Sequence, residues 1–115
     1  MKFTQEQLES MSDFELNLIV CEKFIPVIVE DNQSEDCSSV MVNDIVNMYP
    51  LDFCNNWSDC GDLIEECNIG LDPTDFGGEV EWFAKPEFSN EVLTMDKNPK
   101  RAVTIVYILV KQCNE

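Results

Sequence analysis

The residues of this chain that could do chemistry are carboxylates, and they occur in close pairs. Two neighbouring carboxylates can act as general acid and base or can bind a divalent cation. Catalysis also requires one of the two to be buried with a raised pKa. These pairs fall in predicted turns or on predicted exposed faces, so a solvated surface is the simpler interpretation. The pairs are Glu30 with Asp31, Glu35 with Asp36, Asp59 with Asp62, Glu65 with Glu66, and Glu79 with Glu81.

The sequence lacks the residues that other classes of catalytic mechanism require. None of the 115 residues is His, which excludes a Ser-His-Asp or Cys-His mechanism. Gly77-Gly78 is not followed by Lys, so no phosphate-binding loop is indicated. The six cysteines contain no Cys-x-x-Cys pair, and we expect Cys21, Cys60 and Cys67 to pack as small apolar side chains. The sequence therefore predicts no catalytic residue, no metal and no cofactor.

The charge is unevenly distributed along the chain. The net charge is −16, and residues 24–84 hold 14 of the 23 acidic residues but none of the seven Lys and Arg. Such a segment repels the phosphates of nucleic acid and attracts a basic protein surface. The alternative is that the charge only keeps the protein soluble. The polar N-terminus and the lack of an apolar run of about 18 residues further predict a cytosolic protein without membrane contact.

Four helices are predicted from their starting signals. Capping boxes begin at Thr4 and Ser12. Ser58 or Asp59 can cap a third helix, and the Asn-Pro pair at 98–99 can open a fourth. The last segment is rich in β-branched residues, which favours a strand, but its capping signals favour a helix. The predicted helices are 5–10, 13–23, 59–67 and 99–112.

Apolar runs between these helices predict one small antiparallel sheet. Its strands are expected at about 25–29, 39–43, 69–71 and 80–84. Residues 44–49 are ambiguous up to Pro50, residues 73–78 form a predicted turn, and residues 85–97 a predicted loop. The sheet packed against about three helices gives an α+β fold, with residues 1–115 forming a single domain. The predicted core residues are Phe53, Trp57, Leu63, Ile64, Trp82, Ile105, Val106 and Leu109.

Several short pieces of the sequence carry a family resemblance. They are Ser12-Asp13-Phe14-Glu15, Phe53-Cys54-Asn55-Asn56, the strand around Trp82, and Asn98-Pro99-Lys100-Arg101-Ala102. In this order and spacing, the chain resembles the NinX-like family of small bacteriophage proteins over nearly its whole length. The family has no assigned activity, so the resemblance implies a phage source and the cytoplasm of a host bacterium, but no catalytic residues.

Two functional classes are compatible with these observations. The first is a non-enzymatic acidic accessory protein that binds a basic host or phage protein surface, in its sharpest form as a DNA mimic or inhibitor. The second is a small carboxylate- or metal-dependent hydrolase. Acids spread over a convex face favour the first, whereas acids that converge in a pocket favour the second. Adjacent Asn side chains can contact a ligand or satisfy their own loop. The predicted partner-binding residues are Asn55, Asn56, Asp59, Asp62, Glu65, Glu66, Glu79 and Glu81.

Overall fold

The computed structural model describes residues 2–31, 33, 37–44, 46–87 and 92–113. Within these ranges the chain forms four helices and six strands, which confirms the α+β class. The helices are α1 (Gln5–Glu9), α2 (Asp13–Lys23), α3 (Trp57–Cys67) and α4 (Pro99–Cys113). The strands are β1 (Ile28–Val29), β2 (Val40–Asn43), β3 (Met48–Leu51), β4 (Ile69–Phe76), β5 (Glu79–Pro86) and β6 (Thr94–Asp96). β1 is shorter than the predicted strand at 25–29.

The predicted capping boxes start α1 and α2. The Thr4 hydroxyl accepts the Gln7 backbone amide at 3.1 Å, and the Gln7 side chain accepts the Thr4 amide at 2.8 Å. Ser12 and Glu15 form the same reciprocal pair at 3.1 and 3.2 Å. Each box satisfies amides that the first turn of a helix leaves without partners. Both helices therefore begin where the local sequence predicts.

The last helix, α4, lies at the centre of the core. Nine of its 15 residues are buried, including the continuous run 102–109. It packs against α1, α2, α3 and all three strands β4–β6. The Asn98 side chain accepts the Lys100 amide at 3.0 Å, and Pro99 occupies the first helical position. A helix that is apolar on nearly all sides is stable when protein surrounds it. The β-branched residues of this segment therefore form a buried helix, as its caps predict.

The prediction of one sheet is wrong, because the described strands form two three-stranded antiparallel sheets, β1-β2-β3 and β4-β5-β6. Asn68 ends α3 in the left-handed conformation, with φ 51°, and the chain enters β4 directly. The first residue of β4, Ile69, pairs with Pro86 at the end of β5. Gly77 and Gly78, with φ of 68° and 102°, form the turn between the two strands. The predicted strand at 69–71 is thus used in a local hairpin.

Two prolines lie inside strands, although one was predicted to end an ambiguous segment and the other to lie in a turn. Pro50 is in β3 and Pro73 is in β4. Both strands are at the edge of their sheet, where the nitrogen without a proton can face the unpaired side. The turn predicted at 73–78 is therefore reduced to its two glycines. Of the ambiguous segment 44–49, residues 48 and 49 belong to β3, and residue 45 lies outside the described residues. The loop predicted at 85–97 contains the end of β5 and all of β6.

Most of the predicted core is confirmed. The buried members are Phe53, Leu63, Ile105, Val106 and Leu109, and the half-buried members are Ile64 and Trp82. The prediction for Trp57 is wrong, since this side chain is 51% exposed. Trp57 is the first residue of α3, and the Lys100 ammonium lies 4.5 Å from the centre of its ring. A cation–π contact of this kind stabilises an aromatic ring without removing it from solvent.

Candidate functional site

A buried Asn holds the loop that precedes α3. Asn17 lies on α2 and is completely buried. Its side-chain amide donates to the Ser38 carbonyl at 2.9 Å and to the Asp52 carboxylate at 2.8 Å. Its side-chain oxygen accepts the backbone amides of Phe53 and Cys54 at 2.9 and 3.3 Å. These four bonds use the full hydrogen-bonding capacity of the side chain. Asn17 therefore fixes the position from which α3 starts.

The Asp52 carboxylate extends this network to the surface. It accepts the Ser38 hydroxyl and, at 3.2 and 3.3 Å, the side-chain amide of Asn55. The same Asn55 amide lies 3.1 Å from the Asp13 carboxylate. The Asp52 backbone amide donates to the Asp59 carboxylate at 2.9 Å. The Asn55 side chain is thus hydrogen-bonded within the protein, which is the second of the two roles expected for it. Its contact with a partner stays a prediction.

Asn56 is the residue that caps α3. Its side-chain oxygen accepts the backbone amides of Ser58 and Asp59 at 2.8 and 3.2 Å. The predicted caps, Ser58 and Asp59, are inside the helix. Asn, Ser and Asp are almost equally good caps, so the composition of the segment cannot choose among them. The loop conformation that Asn17 holds places Asn56 at the start of the helix.

The predicted acids of α3 lie on two sides of the helix. Asp59, Asp62 and Glu66 line a groove of about 410 Å³ between α3 and β3. Glu65 lines a second groove of about 640 Å³, which Lys85 also lines. Residues three or four apart share a helix face, whereas adjacent residues do not. The structure therefore brings three of the four acids together and separates Glu65 from them.

Glu66 is tied to α4. Its carboxylate accepts the Tyr107 hydroxyl at 3.0 Å and lies 2.6 Å from the Lys111 ammonium. Burial alone would raise the pKa of Glu66, but the bonds from Lys111 and Tyr107 outweigh it and lower the pKa below the ordinary value. Burial and the neighbouring carboxylate raise the pKa of the Tyr107 hydroxyl. At neutral pH Glu66 is therefore ionised, and its carboxylate is suited to pairing with a cation.

The other two predicted acids lie on the hairpin of β4 and β5. Glu79 forms an exposed ion pair with Lys97 at 3.3 Å, and Glu81 is half-buried. Neither residue lines the two grooves beside α3. Along β5, Ala84 is buried whereas Val80 is 48% exposed, so the hairpin leaves the core toward its turn. The six acids predicted to bind a partner thus lie on two elements, four on α3 and two on this hairpin.

The thiols are placed for packing. Cys21, Cys54 and Cys60 are buried, as predicted for the first and third, and burial is the main reason that the pKa of each rises to about 12. Cys67 is half-buried, and burial raises its pKa as well. Thiols of this kind carry almost no thiolate at neutral pH. In the ranges that the structure describes, no group of three or more His, Cys, Asp or Glu side chains is arranged to hold a metal ion.

Arg101 joins segments from opposite ends of the sequence. Its guanidinium lies 2.7 Å from the Asp13 carboxylate and 3.2 Å from that of Asp96. It also donates to the backbone carbonyls of Glu9 and Met11 at 2.9 and 2.7 Å. The guanidinium is well suited to this role because it offers five donors in a fixed plane. Arg101 is the single Arg in the sequence, and it holds the loop between α1 and α2 against the start of α4.

Three of the four sequence pieces that carry the family resemblance meet around Asp13 and Cys54. The Asn98 side chain donates to the Cys54 carbonyl at 2.7 Å, and Asp13 is shared between Asn55 and Arg101. A comparison with known protein families matches residues 7–111 to the family described as Bacteriophage P22, NinX. The chain belongs to this family. The resemblance inferred from the sequence is thus confirmed. Searches of curated proteins and of solved structures give no match.

In this NinX family protein, the sequence pieces that carry the family resemblance mainly position the backbone. Asn98 binds the loop before α3, and Arg101 binds the loop before α2. Asn55 links the two loops through Asp13. Sequence reasoning missed Asn17, whose signal is a polar side chain inside the apolar run 16–21. None of the described helices is long and apolar enough to cross a membrane. Among the predicted acids, Glu66 and Glu79 are paired with Lys111 and Lys97, whereas Asp62 and Glu65 are exposed and unpaired within the described residues.

Proposed function

We propose that this NinX family protein is a non-enzymatic binding module that associates with a basic surface of a host or phage protein in the host cytoplasm. The observation that supports this function is that the predicted acids are spread over two sides of α3 and onto the β4–β5 hairpin, and that no described residue lining the α3 groove with Asp59, Asp62 and Glu66 is Lys or Arg. Residues 24–84 also lack any base. A one-signed field of this kind accelerates encounter with a basic surface.

In its sharpest form, the module competes with nucleic acid for that surface. Duplex DNA presents one charge per about 1.7 Å of its axis, so an effective mimic needs many carboxylates on one contact area. The acids of α3 and those of the β4–β5 hairpin would both have to face the partner. Charge reversal in either group should then weaken competition with DNA. If only the α3 group matters, the module binds a basic surface without mimicking the duplex.

A carboxylate-dependent hydrolase is the second candidate, because three carboxylates line one groove. Such an enzyme needs one carboxyl group that keeps its proton near neutral pH. The pKa of Glu66 moves in the opposite direction, which favours binding over catalysis. A hydrolase would lose all turnover in Asp62→Asn or Asp59→Asn, whereas a binding module would lose only part of its affinity.

The proposed function is tested by capture of partners from host lysate, followed by kinetics with the captured protein. We expect the association rate to fall about tenfold or more between low and high salt, because screening shortens to about 8 Å at physiological ionic strength. Charge reversal at Asp62 and Glu65 should slow association further. The matched control reverses Glu6 and Glu22, which are also exposed but lie outside the base-free segment. Salt-insensitive binding, or equal effects of both double variants, would show that the charge serves solubility only.

A further inference from the structure

The groove between α3 and β3, called here the α3–β3 groove, combines an apolar floor with an acidic rim. Seven of the ten described residues that line it carry apolar or aromatic side chains, among them Val27, Leu51 and Leu63. The other three are the carboxylates of α3. Leu63 is buried, whereas Val27 and Leu51 are half-buried and still accessible. The floor can therefore accept an apolar side chain from outside.

The three carboxylates of the acidic rim differ in how far the protein already pairs them. Asp59, Asp62 and Glu66 stand at positions i, i+3 and i+7, which spans about 10 Å of helix axis. The Asp62 carboxylate is exposed and forms no hydrogen bond or ion pair within the part of the chain that the structure describes. One Asp59 oxygen accepts the Asp52 amide, and Glu66 is already paired with Lys111. Uncompensated charge is therefore concentrated at Asp59 and Asp62.

The second groove beside α3 serves as an internal comparison. It is larger, about 640 Å³, but Lys85 stands with Glu65 and Glu87 among its lining residues. Its charge is therefore partly balanced by the protein itself. Lys111 balances Glu66 at the rim of the α3–β3 groove, but Asp59 and Asp62 have no basic partner among the described residues, so a basic ligand gains more electrostatic attraction there. Charge complementarity thus distinguishes the two grooves.

The walls of the α3–β3 groove also limit the form of its occupant. Strand addition to β3 is hindered, because Pro50 removes one of the amides that a new strand would need at this edge. A volume of about 410 Å³ is near the lower end of the usual 300–1,000 Å³ of ligand pockets. The groove therefore suits a few inserted side chains. Arginine is the fitting cation, since it binds carboxylates bidentately and stacks on aromatic rings such as Tyr49.

From these features we infer that the α3–β3 groove docks a short arginine-containing segment of the partner protein. The segment inserts an apolar side chain against Leu51 and Leu63, and its flanking arginines pair with Asp59 and Asp62. This inference rests on the proposed function and adds to it the place and the chemistry of recognition. Binding depends on the apolar residue as well as on charge, which separates docking here from general attraction to an acidic protein.

The test uses two synthetic peptides of equal charge. The first is acetyl-Arg-Leu-Arg-Arg-Leu-Arg-amide, and the second replaces both Leu residues by Ser. Binding is followed by amide chemical shifts in ¹⁵N–¹H spectra at low salt. We expect the Leu peptide to bind at least about tenfold more tightly, as burial of a Leu side chain allows. Its largest shifts should fall on Val27, Leu51 and residues 59–66.

Two variants of α3 form a matched pair. Asp62→Asn removes a carboxylate of the α3–β3 groove, and Glu65→Gln removes another exposed carboxylate, which lines the second groove. Both changes are on the surface, and thermal unfolding confirms that each variant is folded. We expect Asp62→Asn to weaken the Leu peptide about fivefold, as loss of a charge pair does, and Glu65→Gln to change it less than twofold.

The outcomes separate this inference from the proposed function. If both peptides bind equally, with shifts spread over the acidic surface, the docking site is refuted and the attraction to basic surfaces stands. If the Leu peptide binds in the groove and its affinity is unchanged by Asp62→Asn, the pairing of arginine with Asp62 is refuted. If neither peptide binds at low salt, the docking site is refuted, and the capture experiment alone decides the proposed function. Tighter binding of the Leu peptide, weakened by Asp62→Asn but not by Glu65→Gln, supports both.

Discussion

The substitution Asn17→Ala should strongly destabilise the protein, although Asn17 is a single uncharged side chain. The change removes four hydrogen bonds. Two of them satisfy the amides of Phe53 and Cys54, which are both buried residues. A buried donor without an acceptor costs about 1–3 kcal/mol. Because some of this cost is recovered if water enters the space, we expect a loss of about 3–5 kcal/mol in the free energy of unfolding.

This loss is large compared with the total stability. At about 0.05–0.15 kcal/mol per residue, a chain of this length is stable by about 6–17 kcal/mol. With a urea dependence of about 2 kcal/mol per molar, in the middle of the usual range, the unfolding midpoint should fall by about 1.5–2.5 M. The effect should also reach α3, because the loop that Asn17 holds contains the cap of that helix.

Urea unfolding followed by circular dichroism measures the effect. The control is Asn47→Ala, which removes the same functional group from an exposed side chain and should change stability by less than about 0.5 kcal/mol. If the midpoint of Asn17→Ala lies as close to the wild type as that of Asn47→Ala, the buried network does not hold the loop and the reasoning fails.

Three further predictions concern individual side chains. Trp57→Ala should lower the free energy of unfolding in urea by less than about 1 kcal/mol, because the ring is exposed. Phe53→Ala should lower it by about 3–5 kcal/mol, because that ring is buried. Equal losses would contradict this assignment. In the native protein, the exposed Cys37 and Cys113 should react fast with a thiol reagent and the three buried cysteines only after unfolding; five or six fast thiols would refute their burial. The folded-state pKa of Glu66 is lowered from 4.5, so its stabilising effect is present above that value and is lost as the pH falls through the folded-state pKa. Glu66→Gln should therefore be less stable than the wild type at neutral pH and equally stable near pH 2, and urea midpoints that differ equally at both pH values would contradict the linkage.

Local signals in the sequence predicted the parts of the fold that depend on neighbouring residues. Thr4 and Ser12 start their helices because each finds its capping partner three residues later. The segment after Asn98 is a helix although its composition favours a strand, because the cap and Pro99 act within one turn. These features need no knowledge of the rest of the chain, which is why the sequence was sufficient.

Features that depend on distant residues were predicted less well. Pro50 and Pro73 are compatible with strands only at a sheet edge, and the sequence does not reveal which strands are at the edge. Trp57 was placed in the core on the basis of its size, but its position at the start of α3 leaves it exposed. The division of the α3 acids between two grooves depends on where β3 and β5 lie, so it appeared only in the structure.

The central position of α4 has a consequence for biosynthesis. This helix supplies the partner surface for α1, α2, α3 and the sheet of β4–β6, yet it follows all of them in the sequence. While the chain emerges from a ribosome, the apolar faces of those elements stay uncovered until residues 99–113 have been made. Exposed surface of this kind promotes aggregation and proteolysis. Chains that stop before residue 99 should therefore be degraded rather than accumulate as partly folded fragments.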